Sequence, residues 1–243
     1  MADLDWLIAR PVAHRGLHDQ KSVIENTPSA FAAAIAGRYG IECDLQISAD
    51  GEAMVYHDDA LGRLTEGRAR LDATTVAELK RVAFKATGDR MITLGELCDL
   101  VAGRAALVIE LKSRFGGDRR LVSRAASVLS GYRGQAAVMS FDPTQIANLR
   151  AIAPRLPRGM VAETHGWGEV AAAPKRAMIT FAQVLSARPQ FIAYAVRDLP
   201  ALLPAVARSI FRLPLLAWTV RSADDRRKAA RYADQMIFEG FRP

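Results

Sequence analysis

Seven residues able to bind a metal, move a proton or hold an anion stand where short apolar strands should run. They are His14 and Arg15 in His14-Arg15-Gly16, Glu42 and Asp44 around Cys43, His57 before Asp58, and Glu110 and Lys112 around Leu111. Strand side chains alternate faces, so Glu42 and Asp44 share one face and Cys43 the other; Glu110 and Lys112 likewise oppose Leu111. Unpaired, these charges are costly to bury. Brought together, they describe a metal-centred site for a negatively charged substrate. Hard carboxylate oxygens suit Mg²⁺ or Ca²⁺ better than Zn²⁺. Arg15 offers a fork of donors for phosphate oxygens and Lys112 a compact charge. Two imidazoles titrating near neutrality can give and take a proton.

The elements that must position these residues alternate between apolar runs and helical periods. Strands are expected near Pro11–Arg15, Gly40–Gln46, Ala106–Lys112, Ala136–Ser140, Gly159–Glu163, Phe191–Val196, Leu215–Val220 and Gln235–Glu239. Helices open at Thr27-Pro28, Asp142-Pro143, Pro174 and Ser222, with Gly37 ending the first. Repeated β-α units imply parallel strands joined by helical crossovers. Eight of them predict an α/β fold, a (β/α)8 TIM barrel, in a single domain spanning residues 1–243; a doubly wound open sheet is the alternative. The connection Ser48-Ala49-Asp50-Gly51 is too short for a crossover, so a β-hairpin follows strand 2 and returns His57 to the level of Glu42 and Asp44. The hairpin opens an insertion over residues 47–105, with helical stretches around Thr75–Val82 and Leu94–Val101.

The chain has 243 residues, half of them hydrophobic, and a net charge of +7 carried by 27 Arg and 6 Lys. The arginines are scattered, and the densest cluster (Arg226, Arg227, Lys228, Arg231) lies on an expected helix. A solvated basic surface is therefore expected, not a nucleic-acid partner. No apolar run approaches the ~20 residues of a membrane span, and the first ten residues lack a signal-peptide core, so a cytoplasmic location is the default. Cys43 and Cys98 are too few for a disulfide scaffold.

The ordered set His14-Arg15-Gly16, Glu25-Asn26-Thr27-Pro28, Glu42-Cys43-Asp44, Asp50-Gly51, His57-Asp58 and Glu110-Leu111-Lys112 resembles the glycerophosphodiester phosphodiesterase family. Leu61-Gly62-Arg63-Leu64-Thr65, Ser140-Phe141-Asp142-Pro143 and Trp218-Thr219-Val220 extend the likeness over most of the chain. The resemblance implies a phosphatidylinositol phospholipase C-like TIM barrel that hydrolyses glycerophosphodiesters to sn-glycerol 3-phosphate and an alcohol. It makes Glu42, Asp44 and Glu110 ligands of one divalent cation, Mg²⁺ or Ca²⁺ with Mn²⁺ as a substitute. His14 and His57 become the acid–base pair, and Arg15 and Lys112 the phosphate contacts. Trp218 shapes the glycerol pocket, and Glu25 faces the site or supports the first helix. The implied reaction is attack of the glycerol 2-hydroxyl on phosphorus, then opening of the cyclic phosphate by water. The same chemistry on lysophospholipids, and a non-catalytic phosphate-ligand barrel, are the alternatives.

The chain departs from the family pattern in two places. Arg221 stands where Asn commonly follows Trp-Thr-Val, and Phe238-Glu239 replaces a Thr-Asp near the last strand. Both are expected on the substrate side, bearing on the alcohol more than on the reaction. The absence of a closing helix leaves an apolar flank beside the last strand, which a homodimer would cover. Asn26 is expected to serve the helix start, Asp58 to fix its loop through backbone, Trp6 to pack at the N-terminus, and Arg63 to meet ligand or solvent. His18 and His165 lie in loops, the latter in His165-Gly166-Trp167-Gly168 at the mouth, where a substrate contact is allowed.

Overall fold

The computed structural model describes residues 4–164 and 186–243. Strands β1 (Val12–Ala13), β2 (Gly40–Ile47), β4 (Leu107–Leu111), β5 (Ala136–Ser140), β6 (Arg158–Ala162), β7 (Phe191–Ala195), β8 (Leu215–Val220) and β9 (Gln235–Phe238) pair in parallel in that order. β1 joins both β2 and β9, closing a TIM barrel of eight strands. Helices α2 (Pro28–Ala36), α5 (Arg120–Ser130), α6 (Pro143–Ile152), α7 (Leu202–Ser209) and α8 (Ala223–Tyr232) lie between the strands. The expected strands all form, as does the first helix: Thr27 caps Ala30 N, Pro28 opens it and Gly37 follows it. Asp142 caps α6, and a capping box at Ser222 opens α8. The expected helix start at Pro174 and the His165-Gly166-Trp167-Gly168 loop lie outside the described residues.

The antiparallel strand β3 (Ala53–Val55) pairs Leu45 with Val55 and Ile47 with Ala53. Its turn uses Gly51 at φ +85°, a left-handed conformation that costs glycine little. After it come α3 (Val76–Leu79) and α4 (Leu94–Val101), each with a Thr-Glu capping box. Met54, Tyr56, Leu71, Leu79, Phe84 and Met91 give this insertion an apolar cluster of its own.

Strand alternation sorts the barrel's residues into two layers. Cys43, Ile109, Val138 and Ala217 pack outward against the helices. Val12, Val108, Ala137, Met139, Val161, Phe191, Ala193, Leu216 and Ile237 pack with one another, and Leu7 of α1 (Asp5–Ile8) and Leu4 just before it join them, with Trp6 partly buried beside them. Phe191 occupies so much of the interior that a Cβ on Gly159 would meet its ring at 2.4 Å. No strand residue of β2 joins this apolar interior; by the same alternation β2 presents Glu42 and Asp44 inward.

The apolar flank expected beside the last strand is not open. Phe241 packs against Phe238 at 5.5 Å between ring centroids, and Tyr39 meets Phe238 at 4.9 Å. Large exposed apolar side chains lie instead on and beside α7, at Leu202, Leu203, Ile210 and Phe211. No helix among the described residues is long and apolar enough to cross a membrane.

Candidate active site

Glu42 and Asp44 on β2 and Glu110 on β4 each bring a carboxylate oxygen within 4.8 Å of the others. Register explains the meeting, because Asp44 lies directly beside Glu110 in the parallel pair. All three are buried. Burial and the like charges of Asp44 and Glu110 push the Glu42 carboxyl well above its ordinary range. Burial raises Glu110 too, against the pull of Lys112. Asp44 is also penalised by burial, yet Lys112 and Arg15 hold it below the usual carboxylate range. Its Oδ1 lies 2.9 Å from Lys112 Nζ. Three buried hard oxygen donors brought within 4.8 Å of one another fit a divalent metal of the Mg²⁺ or Ca²⁺ kind.

The cationic residues surround this cluster. The chain leaves β1 through Arg15 at φ +55° and Gly16 at φ +80°, which frees the Arg15 backbone N–H to donate to Glu42 Oε2 at 2.9 Å. The Arg15 guanidinium donates to Glu25 at 2.8 Å and passes 3.1 Å from Asp44. Lys112, at the end of β4, donates to Glu110 at 2.7 Å.

Both histidines are held in the same way. His14 Nδ1 lies 2.7 Å from Glu239 Oε2, and His57 Nδ1 lies 2.7 Å from Asp58 Oδ1. A carboxylate only accepts, so Nδ1 carries the proton in each ring and Nε2 is left to accept one. His14 Nε2 is 3.9 Å from Glu42 Oε2. Burial pulls the His14 pKa below its ordinary value despite the Glu239 bond. The hairpin returns His57 as expected: Tyr56 N donates to Asp44 O at 3.0 Å. Trp218, on β8, meets Phe141 edge-on at 5.5 Å, and its buried indole Nε1 has no hydrogen-bond partner among the described residues.

Several expectations change. Glu25 does not face the cluster with a free carboxylate: Arg15 and Arg63 share Oε1, and Gln20 takes Oε2. Burial would raise it, but Arg63 and Arg15 bring it down to about 2. Asp58 bonds the side chains of His57 and Arg63, not backbone, so Arg63 ties Glu25 to Asp58. Asn26 does more than start a helix. At φ +56° it donates to Asp44 Oδ2 at 2.9 Å and accepts from Asp44 N at 3.3 Å. The two departures from the family pattern meet each other: Arg221 Nη2 donates to Glu239 Oε2 at 2.8 Å, the oxygen that also faces His14. They belong to the histidine's surroundings, not to the substrate side alone. Alternation along β9, from inward Ile237 to Glu239, is the sequence signal for this partner.

A family model described as the glycerophosphoryl diester phosphodiesterase family matches residues 14–240. The chain is 32% identical over 162 residues to a glycerophosphodiester phosphodiesterase of Caldanaerobacter subterraneus, covering 62% of this chain and 65% of that one. It is 36% identical over 107 residues to one of Bacillus altitudinis, covering 41% and 43%. The chain thus spans less than two thirds of these relatives' lengths. Among solved structures, a Thermotoga maritima glycerophosphodiester phosphodiesterase superposes with a TM-score of 0.71 at 24% identity, covering 94% of each chain. An Oleispira antarctica phosphodiesterase in complex with the product sn-glycerol-3-phosphate gives 0.77 at 20% identity, covering 95% of this chain and 92% of that one. These likenesses carry the fold, and the match over residues 14–240 carries the kinship: the chain belongs to the glycerophosphoryl diester phosphodiesterase family.

Proposed function

We propose that the protein is a metal-dependent phosphoric diester hydrolase acting on glycerophosphodiesters, releasing sn-glycerol 3-phosphate and an alcohol. One observation carries this: Glu42, Asp44 and Glu110 converge among two imidazoles, each backed at Nδ1 by a carboxylate. Binding alone needs no paired acid and base. Kinship and the product named for the Oleispira antarctica enzyme support the substrate class.

Glu42, Asp44 and Glu110 would hold a divalent cation, Mg²⁺ or Ca²⁺. When bound, it supplies Lewis-acid polarisation of the phosphoryl oxygens. Arg15 and Lys112 hold the remaining phosphate charge, and Glu25 keeps Arg15 in place. Trp218 bounds the glycerol side. One imidazole Nε2 takes the proton of the glycerol 2-hydroxyl as that oxygen bonds to phosphorus. The other ring, protonated, gives its proton to the departing alcohol oxygen. Water then adds to the cyclic phosphate with the proton transfers reversed, restoring both rings. Glu239 and Asp58 hold the rings in orientation and stabilise their charged forms.

The test is sn-glycerol 3-phosphate release from glycerophosphocholine and glycerophosphoethanolamine with Mg²⁺, Ca²⁺ or Mn²⁺. Turnover with any of these supports the reaction. Saturable binding without turnover on either substrate overturns it in favour of a non-catalytic barrel.

A further inference from the structure

The arginines look scattered along the chain, but parallel strands all begin at one end of a barrel, so residues recurring before each strand gather there. Arg10, Arg38, Arg104, Arg133, Arg155, Arg188 and Arg212 each stand two or three residues ahead of a strand, β1, β2, β4, β5, β6, β7 and β8 in turn. All are exposed, and they ring the end opposite the carboxylate cluster. Among the described residues none of them pairs with a carboxylate. Arg10 and Arg104 donate to backbone oxygens, and the other five guanidinium groups bond nothing. Asp234, in the loop before β9, is taken by Arg208 and Leu215 N, both at 2.8 Å. With Asp5 of α1 and Asp99 of α4 counted, this end stays strongly positive. At the mouth and its rim the opposite holds: Arg63, Arg114, Arg197 and Arg221 lie against Glu25, Asp59, Glu163 and Glu239 in that order. Attraction to a helix C-terminus accounts for Arg104, which bonds Val101 O at the end of α4. The five that touch no helix carbonyl are not held that way. Large apolar side chains share this end: Ile152 closes α6, and Ile210 and Phe211, 69% and 65% exposed, fall between α7 and Arg212.

We propose that this end of the barrel docks on an anionic membrane surface. Headgroup phosphates complement the arginines, and Ile210 and Phe211 reach the acyl boundary beneath them. A nucleic acid would meet the charges but gain nothing from exposed aliphatic side chains. A second copy of the chain would set arginine against arginine. Docking of this kind is independent of the hydrolase reading. Its consequence for that reading is an active-site mouth turned toward water, open to diesters in solution and away from lipids of the same bilayer.

The experiment measures co-sedimentation of the full chain with vesicles of phosphatidylcholine alone or of equimolar phosphatidylcholine and phosphatidylglycerol. Arg155→Gln/Arg188→Gln/Arg212→Gln removes three charges from the proposed face. Arg119→Gln/Arg226→Gln/Arg227→Gln removes as many exposed charges from beside α5 and from α8, toward the mouth. Phe211→Ser serves if the first variant fails to fold. The wild type is expected to bind the mixed vesicles at low salt, to ignore the neutral ones and to be released by high salt. The face variant should lose at least about tenfold in affinity and the mouth-side variant about twofold; Phe211→Ser should lose about threefold or more. No binding of the wild type to the mixed vesicles, or equal losses in the two triple variants, overturns the proposal. Tighter binding to an RNA duplex than to the mixed vesicles overturns it in favour of nucleic acid. A solution dimer that the face variant abolishes overturns it in favour of a second copy.

Discussion

Val108 and Glu110 stand one pleat apart on the same face of β4, in opposite surroundings. Val108 packs with Val12, Ala137 and Phe191 in the apolar floor. Glu110 meets Asp44 and Lys112 at the mouth. Backbone and alternation are identical, so residue type alone divides the barrel into a part that stabilises and a part suited to chemistry. The floor gains from each apolar group removed from water, roughly 25 cal/mol per Å². The mouth gathers like charges that burial penalises, as the raised Glu42 and Glu110 carboxyls show.

Substitutions at the two levels should separate these roles. Glu42→Gln is expected to lower turnover by more than about 10³-fold. Removing a like charge should leave the melting temperature of the metal-free protein equal or higher; a fall in melting temperature matching the lost activity would break the contrast. His14→Ala and His57→Ala should each slow turnover by roughly 10²–10⁴-fold with unchanged circular dichroism. At the floor, Gly159→Ala forces a methyl group against Phe191 and should cost about 1–3 kcal/mol in denaturant unfolding. Its activity per folded molecule should be retained.

The smallest effect belongs to the rim. Glu25 and Asp58 have ordinary values of 4.5 and 3.8, and although burial opposes it, Arg63 helps hold both near 2. Carboxyls depressed in the folded state contribute stability that is present above their ordinary values and lost as pH falls through about 2. Arg63→Ala raises the folded values and shrinks that contribution, so acid unfolding should begin at higher pH. An unchanged acid midpoint in a fluorescence titration would show that the rim pairs add nothing.

What was legible in the sequence follows the range of the contacts. Two-residue alternation is local, so Glu42, Asp44, Glu110 and Lys112 could be assigned to one face from the strands alone. The four-residue turn at Ser48–Gly51 likewise announced the hairpin that returns His57. Glu239 was not assigned to His14 because 225 residues separate them and only barrel closure sets β9 beside β1. The Arg221–Glu239 pair depends on the same closure. Asn26 looked like helix-start chemistry because Thr27 and Pro28 follow it; its bonds to Asp44 depend on a left-handed backbone that residue type alone does not dictate. For Glu25 the sequence leaves open whether it faces the site or supports the first helix; its partner Arg63 comes from the insertion, a contact that only the folded chain sets.

The most direct test of the charged mouth measures sn-glycerol 3-phosphate release by wild type and Asp44→Asn, first metal-stripped and then with Mg²⁺ or Ca²⁺ restored. The account predicts wild-type turnover that disappears with the metal and returns with it, and no turnover in a folded Asp44→Asn protein under either condition. Equal turnover by the stripped and restored wild type, or full activity in Asp44→Asn, would contradict it.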